Sequence, residues 1–218
     1  MGRIRQSAFA CVPVAVLTFS LGGCGSAAPS QRPPVIQPGS PGEASRIIPS
    51  GAAAQPIPAA TDADVKFMQG MIHHHAQALD MTELLSERSQ DPDMKKLALR
   101  IQVSQTDEIK TMQQWLEARG QEVPGRHAHH MPGAVLMPGM LNEEEMARLA
   151  AAKGPEFDRL FLEGMIKHHG GALIMVKDLF ATAGAGQQSD VFAFASDVEA
   201  DQKMEIDRMN GMLKERMK

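Results

Sequence analysis

The chain has no tyrosine, one tryptophan and only two cysteines among 218 residues. Nucleic-acid binding draws on aromatic platforms set in basic stripes, and an acidic chain this poor in aromatics offers neither. Cys11 lies in an apolar N-terminal run and Cys24 directly follows it. The processed chain is therefore expected to hold no internal disulfide and no thiol nucleophile. His-Glu-x-x-His, Gly-x-Ser-x-Gly and a phosphate-cradling glycine loop are also missing, which removes the commonest hydrolase and nucleotide-binding readings.

Residues 1–23 read as an export signal. Arg3 and Arg5 precede an uncharged, largely apolar run from Ser7 to Leu21, too short to span a bilayer comfortably. The run ends in Leu21-Gly22-Gly23-Cys24, which resembles the lipobox of bacterial lipoproteins and makes Cys24 the expected acylated first residue of the mature chain. An ordinary signal peptide with an incidental cysteine is the alternative. From Gly25 to Ala60, eight of 36 residues are proline, so residues 24–60 are expected to form a disordered, semi-extended tether. Without Arg3 and Arg5, 20 basic residues face 26 acidic ones, a net charge of about −6 with histidine neutral. Residues 61–218 remain as one domain, long enough to bury a single core.

Within that domain one stretch occurs twice. Gly70-Met71-Ile72-His73-His74-His75-Ala76-Gln77-Ala78-Leu79-Asp80-Met81 returns 94 positions later as Gly164-Met165-Ile166-Lys167-His168-His169-Gly170-Gly171-Ala172-Leu173-Ile174-Met175. Upstream, Asp64 and Phe67 are answered by Asp158 and Phe161. At about 100° per residue, Met71, His74, His75, Ala78 and Met81 share one helix face. His73 points away, and Lys167 takes its place in the second copy, so His73 is expected in solvent.

Caps and stops divide the domain into helices. Thr61 with Asp64 starts a helix that runs to about Ser89. Asp91-Pro92 starts a second, which stops at Gly120. Asn142 caps a short helix over 142–152, Gly154-Pro155 opens a third long helix, and Ser189-Asp190 opens a fourth. Gln105, Glu108, Ile109, Met112 and Leu116 of the second helix correspond to Gln202, Glu205, Ile206, Met209 and Leu213 of the fourth. The expected fold is all-α: two duplicated hairpins, about 61–120 and 155–218, paired as an antiparallel four-helix bundle. A loop over 121–141, rich in His and Met, links them ahead of the short helix.

Each half offers a Met, a His-His pair and a second Met on one helix, then Gln, Glu and Met on the next. The candidate ligands are Met71, His74, His75, Met81, Glu108 and Met112, then Met165, His168, His169, Met175, Glu205 and Met209, with Gln105 and Gln202 as polar supports behind them. A glutamate in an apolar stripe is costly unless something positive meets it. A metal ion satisfies carboxylate, imidazole and thioether together. The alternative is a polar core network in which the glutamates hydrogen-bond to the histidines and fix helix register, with methionine as filler. His127, His129, His130, Met131, Met137 and Met140 crowd fourteen loop residues, where core packing does not account for the methionines and metal capture does. Thioether selects Cu(I) and imidazole also accepts Cu(II), so copper is the leading metal. The Glu-x-x-His spacing of di-iron bundles is absent.

Met71-Ile72-His73-His74-His75 with Ala78 and Met81, Gln105-x-x-Glu108-Ile109-x-x-Met112, Met137-Pro138-Gly139-Met140, Phe157-Asp158-x-x-Phe161-Leu162 and Met165-Ile166-Lys167-His168-His169 resemble the bacterial family called domain of unknown function 305, over about Ala63 to Met212. The resemblance implies a ferritin-like helical bundle, secreted or periplasmic, with some members binding copper through Met and His. Gln77 stands where the family usually has glycine, and Ile174 where it usually has an acid.

The expected function is a lipid-anchored protein on the extracytoplasmic face of a bacterial membrane that sequesters, stores or delivers copper without catalysis. Its partners would be the ion, the membrane and a copper-accepting protein. A metal-dependent bundle oxidase and a metal-free structural or partner-binding lipoprotein are the rival readings.

Overall fold

In a computed structural model of the chain, the described residues are 35–37, 46–48, 59–125 and 136–216. The chain divides into two units, 1–56 and 57–218. In the first, β1 (Val35–Gln37) and β2 (Arg46–Ile48) pair antiparallel, with Ile36 opposite Ile47. The tether was expected to hold no regular structure. These two tripeptides are its β-branched stretches, and such residues favour extended backbone even between prolines.

The second unit is all-helical among its described residues, as the periodicity predicts. Its elements are α1 (Asp62–Arg88), α2 (Pro92–Glu117), α3 (Glu143–Ala151), α4 (Gly154–Ala181) and α5 (Ser189–Arg216). Thr61 and Asp64 form the expected capping box on α1. The other oxygen of Asp64 accepts from Gly186 N at 2.7 Å, tying the α4–α5 turn to the start of α1. Asp91 caps α2 ahead of Pro92 and also pairs with Arg216 near the end of α5. Asn142 and Glu145 cap α3 reciprocally. Gly120 and Gly184 take positive φ just past the ends of α2 and α4, where a side chain would be strained. Among the described residues, no helix is long and apolar enough to cross a membrane.

α1 packs on α2 and α4 on α5, and the two hairpins meet through α1 and α4. These central helices run antiparallel: Met175 lies against Gly70 and Met81 against Gly164. The core forms two apolar clusters. One holds Phe67, Met71, Met112, Trp115, Val176 and Phe194, and the other Met81, Leu97, Ile101, Phe157, Phe161 and Met209. Both draw on all four long helices, so neither hairpin carries a core of its own.

Candidate metal centre

Between the two apolar clusters, the inward stripes turn polar. His74, His75, Gln105, His168, His169, Gln202 and Glu205 are buried there, while the Glu108 side chain keeps 16% exposure at the edge. Helical period places them: the histidines lie one turn from Met71 and Met165, and each glutamate lies one turn from Met112 or Met209. His73 is half-buried, and Lys167 is exposed and pairs with Glu145 at 2.6 Å.

The four histidines fall into two kinds. His75 Nε2 donates to Glu108 Oε2 at 2.5 Å, and His169 Nε2 to Glu205 Oε2 at 2.7 Å. These bonds join α1 to α2 and α4 to α5. Ser104 Oγ donates to Glu108 at 3.2 Å, and Arg100 Nε donates to Glu205 at 3.3 Å from across the bundle. His74 and His168 use backbone partners instead. His74 Nε2 donates to the Pro138 carbonyl at 3.0 Å, and His168 Nε2 donates to the His74 carbonyl at 3.0 Å. A carbonyl oxygen only accepts, so the proton of each ring is assigned to Nε2 and the lone pair to Nδ1. Burial, reinforced by nearby His75, pulls the His74 pKa down to about 3. Burial and then His74 and His169 hold His168 well below its ordinary value. Both rings are neutral, the state in which imidazole binds metal.

The Nδ1 atoms of all four histidines are buried without a hydrogen-bond partner, as are Gln105 Nε2 and Oε1 and Gln202 Oε1. Leaving such a group unsatisfied costs about 1–3 kcal/mol, so this layer is a place where a bound ion or water would be stabilising. The sulfur-bearing side chains of Met71, Met112, Met165 and Met209 are fully buried on adjacent turns. Among the described residues, no three His, Cys, Asp or Glu side chains converge as a chelating group. Imidazole and thioether, the donor types gathered in this layer, are those that suit a soft ion, whereas a hard ion needs several carboxylates.

The methionines at the ends of the repeated stretch each lie against the glycine that opens the other copy. Met81 Cε packs 3.3 Å from where a Cβ on Gly164 would stand. Met175 Cε is 3.4 Å from the same point on Gly70, with Met137 Sδ at 3.3 Å beside it. Met137 of the loop and Met175 of the bundle, expected in separate clusters, thus meet over one glycine. The expectation of an open capture tract fails at its C-terminal end. Met140 and Leu141 are buried, because a turn at Pro138-Gly139 folds this segment onto α1 and α4. His127, His129, His130 and Met131 lie outside the described residues.

Sequence reasoning missed the backbone partner of His74 and the surroundings of the glutamates. A cleft of about 580 Å³ opens between α2 and α5, with Ser104, Asp107, Glu108, Asp190, Asp197 and Asp201 in its walls. Burial and nearby Glu108 and Glu205 push the Asp201 carboxyl up, against the pull of Arg100. The repeat held a signal for this asymmetry. At the offset that matches Glu108 to Glu205, Arg100 corresponds to Asp197 and Ser104 to Asp201. Glu205 thus has an arginine beside it, while Asp201 lies near both glutamates.

The family described as a domain of unknown function (DUF305) matches residues 64–213. A crystal structure of a DUF305 fragment from Deinococcus radiodurans is 34% identical, aligned over 72% of this chain and 99% of that one with a TM-score of 0.62. The protein CopM in its Cu(I)-bound form is 28% identical over 70% of this chain and 96% of that one, with a TM-score of 0.56. Cu(II)-bound, silver-bound and apo forms of CopM align similarly. An uncharacterized protein, L153 of Acanthamoeba polyphaga mimivirus, is 39% identical over 56 residues, which span 26% of this chain and 37% of that protein.

Proposed function

Because the chain belongs to the DUF305 family, we propose that it is an extracytoplasmic copper-binding protein, held to a membrane through acylated Cys24, that sequesters or hands on the ion without turning over a substrate. One observation carries this reading: two adjacent, neutral, fully buried imidazoles present unpartnered Nδ1 atoms in a layer flanked by buried thioethers. His74 and His168, with Met71 and Met165, would hold the ion. His75 and His169 are committed to Glu108 and Glu205 through Nε2, and serve first to fix the register of each hairpin. Copper bound to CopM supports the choice of metal. The acidic cleft beside Glu108 would raise the local concentration of a cation at the edge of the layer.

Metal analysis of the purified domain, followed by Cu(I) titration against a competing chelator, tests the reading. Tight Cu(I) binding lost on replacing His74 and His168 is the expected result. Binding unaffected by those changes would leave the polar layer as a structural network. Oxygen consumption by the copper-loaded protein would replace storage or delivery with oxidase chemistry.

A further inference from the structure

We propose that Gln77 and Gly171 are positioning residues for His74. They hold the 137–141 turn so that the Pro138 carbonyl keeps the ring proton on Nε2 and leaves Nδ1 free for a soft metal ion. The ligand role of His74 rests on the function proposed above, whereas the positioning rests on contacts within the chain.

Gln77 and Gly171 occupy equivalent places in the two copies and act on the same segment in opposite ways. Gly171 makes room: a Cβ there would stand 1.8 Å from the Pro138 carbonyl oxygen and 2.7 Å from Gly139 Cα. Both neighbours are backbone, which cannot swing aside as a side chain can. Gly139 has φ +77, and a Cβ on it would lie 2.5 Å from the Lys167 carbonyl, so the turn also needs glycine on its own side. Met140 N closes the turn onto Met137 O at 3.2 Å. Gln77 supplies the hold: its Nε2 donates to Leu141 O at 2.8 Å, and its Oε1 accepts from Leu141 N at 2.8 Å. It is buried, so these two bonds face little competition from water.

Pro138 O lies between these two anchors and is the partner of His74 Nε2. Without it, a neutral ring would have no partner on either nitrogen and would populate both tautomers. Second partners of this kind fix which ring nitrogen a metal finds, and their loss weakens binding. His168 provides an internal comparison, since its Nε2 bonds to the His74 carbonyl on α1 and not to the turn.

The test uses ring nitrogen shifts of ¹⁵N-histidine-labelled apo protein, together with Ag(I) affinity as an oxidation-resistant stand-in for Cu(I). Gln77→Met keeps the side-chain volume and removes both bonds to Leu141, while Gly171→Ala displaces the turn. In each, His74 is expected to change from the Nε2-H form to a tautomer mixture while His168 keeps its Nε2-H form. Ag(I) should then bind at least about tenfold more weakly, with helicity retained. If Gly171→Ala does not fold, Gln77→Met carries the test. An unchanged His74 tautomer in a folded variant overturns the positioning role, and so does a scrambled tautomer with unchanged Ag(I) affinity. Failure of the wild-type protein to bind Ag(I) would overturn the proposed function and with it the metal side of this inference, while the apo spectra would still decide whether the turn sets the tautomer.

Discussion

His74 and His168 lie with ring centroids 3.8 Å apart and planes tilted by 39°, and His168 donates to the backbone carbonyl of His74 while His74 donates elsewhere, to Pro138. The contact between these equivalent residues runs one way. Two neutral rings at the crossing of α1 and α4 are held by backbone groups that stay put when side chains titrate.

That arrangement makes the apo protein sensitive to acid. An exposed histidine titrates near 6.5, and His74 is lowered to about 3 in the fold, with His168 shifted the same way. Between these values the unfolded chain binds protons that the folded chain refuses. Stability is therefore full above about pH 6.5 and falls as the pH drops, by up to about 1.4 kcal/mol per pH unit for each ring. Urea unfolding of apo protein at pH 7.5 and pH 5 measures it, and identical midpoints would refute the burial argument.

Copper should raise the unfolding midpoint, since an ion that binds only the native state stabilises it by mass action, about 2.7 kcal/mol at a hundredfold excess over Kd. Replacing His74 and His168 together by Ala should abolish this gain, and replacing Met71 and Met165 by Leu should reduce it with little loss of apo stability. Thermal melts with and without Cu(I) decide the point. A gain that survives loss of both histidines would place the ion elsewhere.

The two glutamates are not expected to be equal. Glu205→Ala leaves His169 buried with both ring nitrogens unpartnered, at a cost of about 1–3 kcal/mol. Glu108→Ala strips His75 in the same way, but Glu108 keeps 16% exposure at the edge of the layer, where water can take its place, whereas Glu205 also accepts from Arg100, so the net loss should be smaller. Denaturant titration of the two variants gives the order directly; a larger loss for Glu108→Ala would be the wrong sign.

Deleting residues 126–135 should lower copper stoichiometry by removing His127, His129, His130 and Met131, while helicity and cooperative unfolding are kept. Extending the deletion through Leu141 removes buried side chains and both partners of Gln77, and should cost about 2 kcal/mol or more. Circular dichroism and copper analysis of both deletions separate the two parts of the loop. Equal stability of the two would show that the turn is dispensable.

Cys24→Ser should yield an unlipidated product released from the membrane, as fractionation and mass analysis would show. Retention of a mature chain without lipid would sink the anchor.

Much of the helical layout could be read from sequence because it obeys local rules. Thr61, Asp91 and Asn142 cap the helices they were expected to cap, and the repeat put His74, His75, His168 and His169 inside. The Pro138 contact could not be read, since nothing periodic relates a carbonyl to a ring 64 residues away in sequence. Gln77 stands out in the sequence only as a departure from the family's usual glycine, yet it is buried because the 137–141 segment lies over it. Met140 read as a metal-seeking loop residue for the same reason: composition marks a segment as irregular but does not say what it rests on. The cleft between α2 and α5 arises from residues just outside the inward stripes, where the two copies differ in charge.

The turn at 137–141 also bears on how alike the two copies can be. The crossing of α1 and α4 approximates a twofold axis, pairing Gly70 with Gly164, Met81 with Met175 and Gln77 with Gly171. A segment that occurs once and lies across such an axis cannot treat both sides alike. It runs from Met137, over Gly70, to Leu141, over Gly164, so equivalent residues meet different parts of it. Gln77 and Gly171 are where that mismatch is absorbed, one reaching out to hold the chain and the other withdrawing to admit it. Restoring symmetry at this pair, with glycine on both sides or glutamine on both, would give up either the grip or the space.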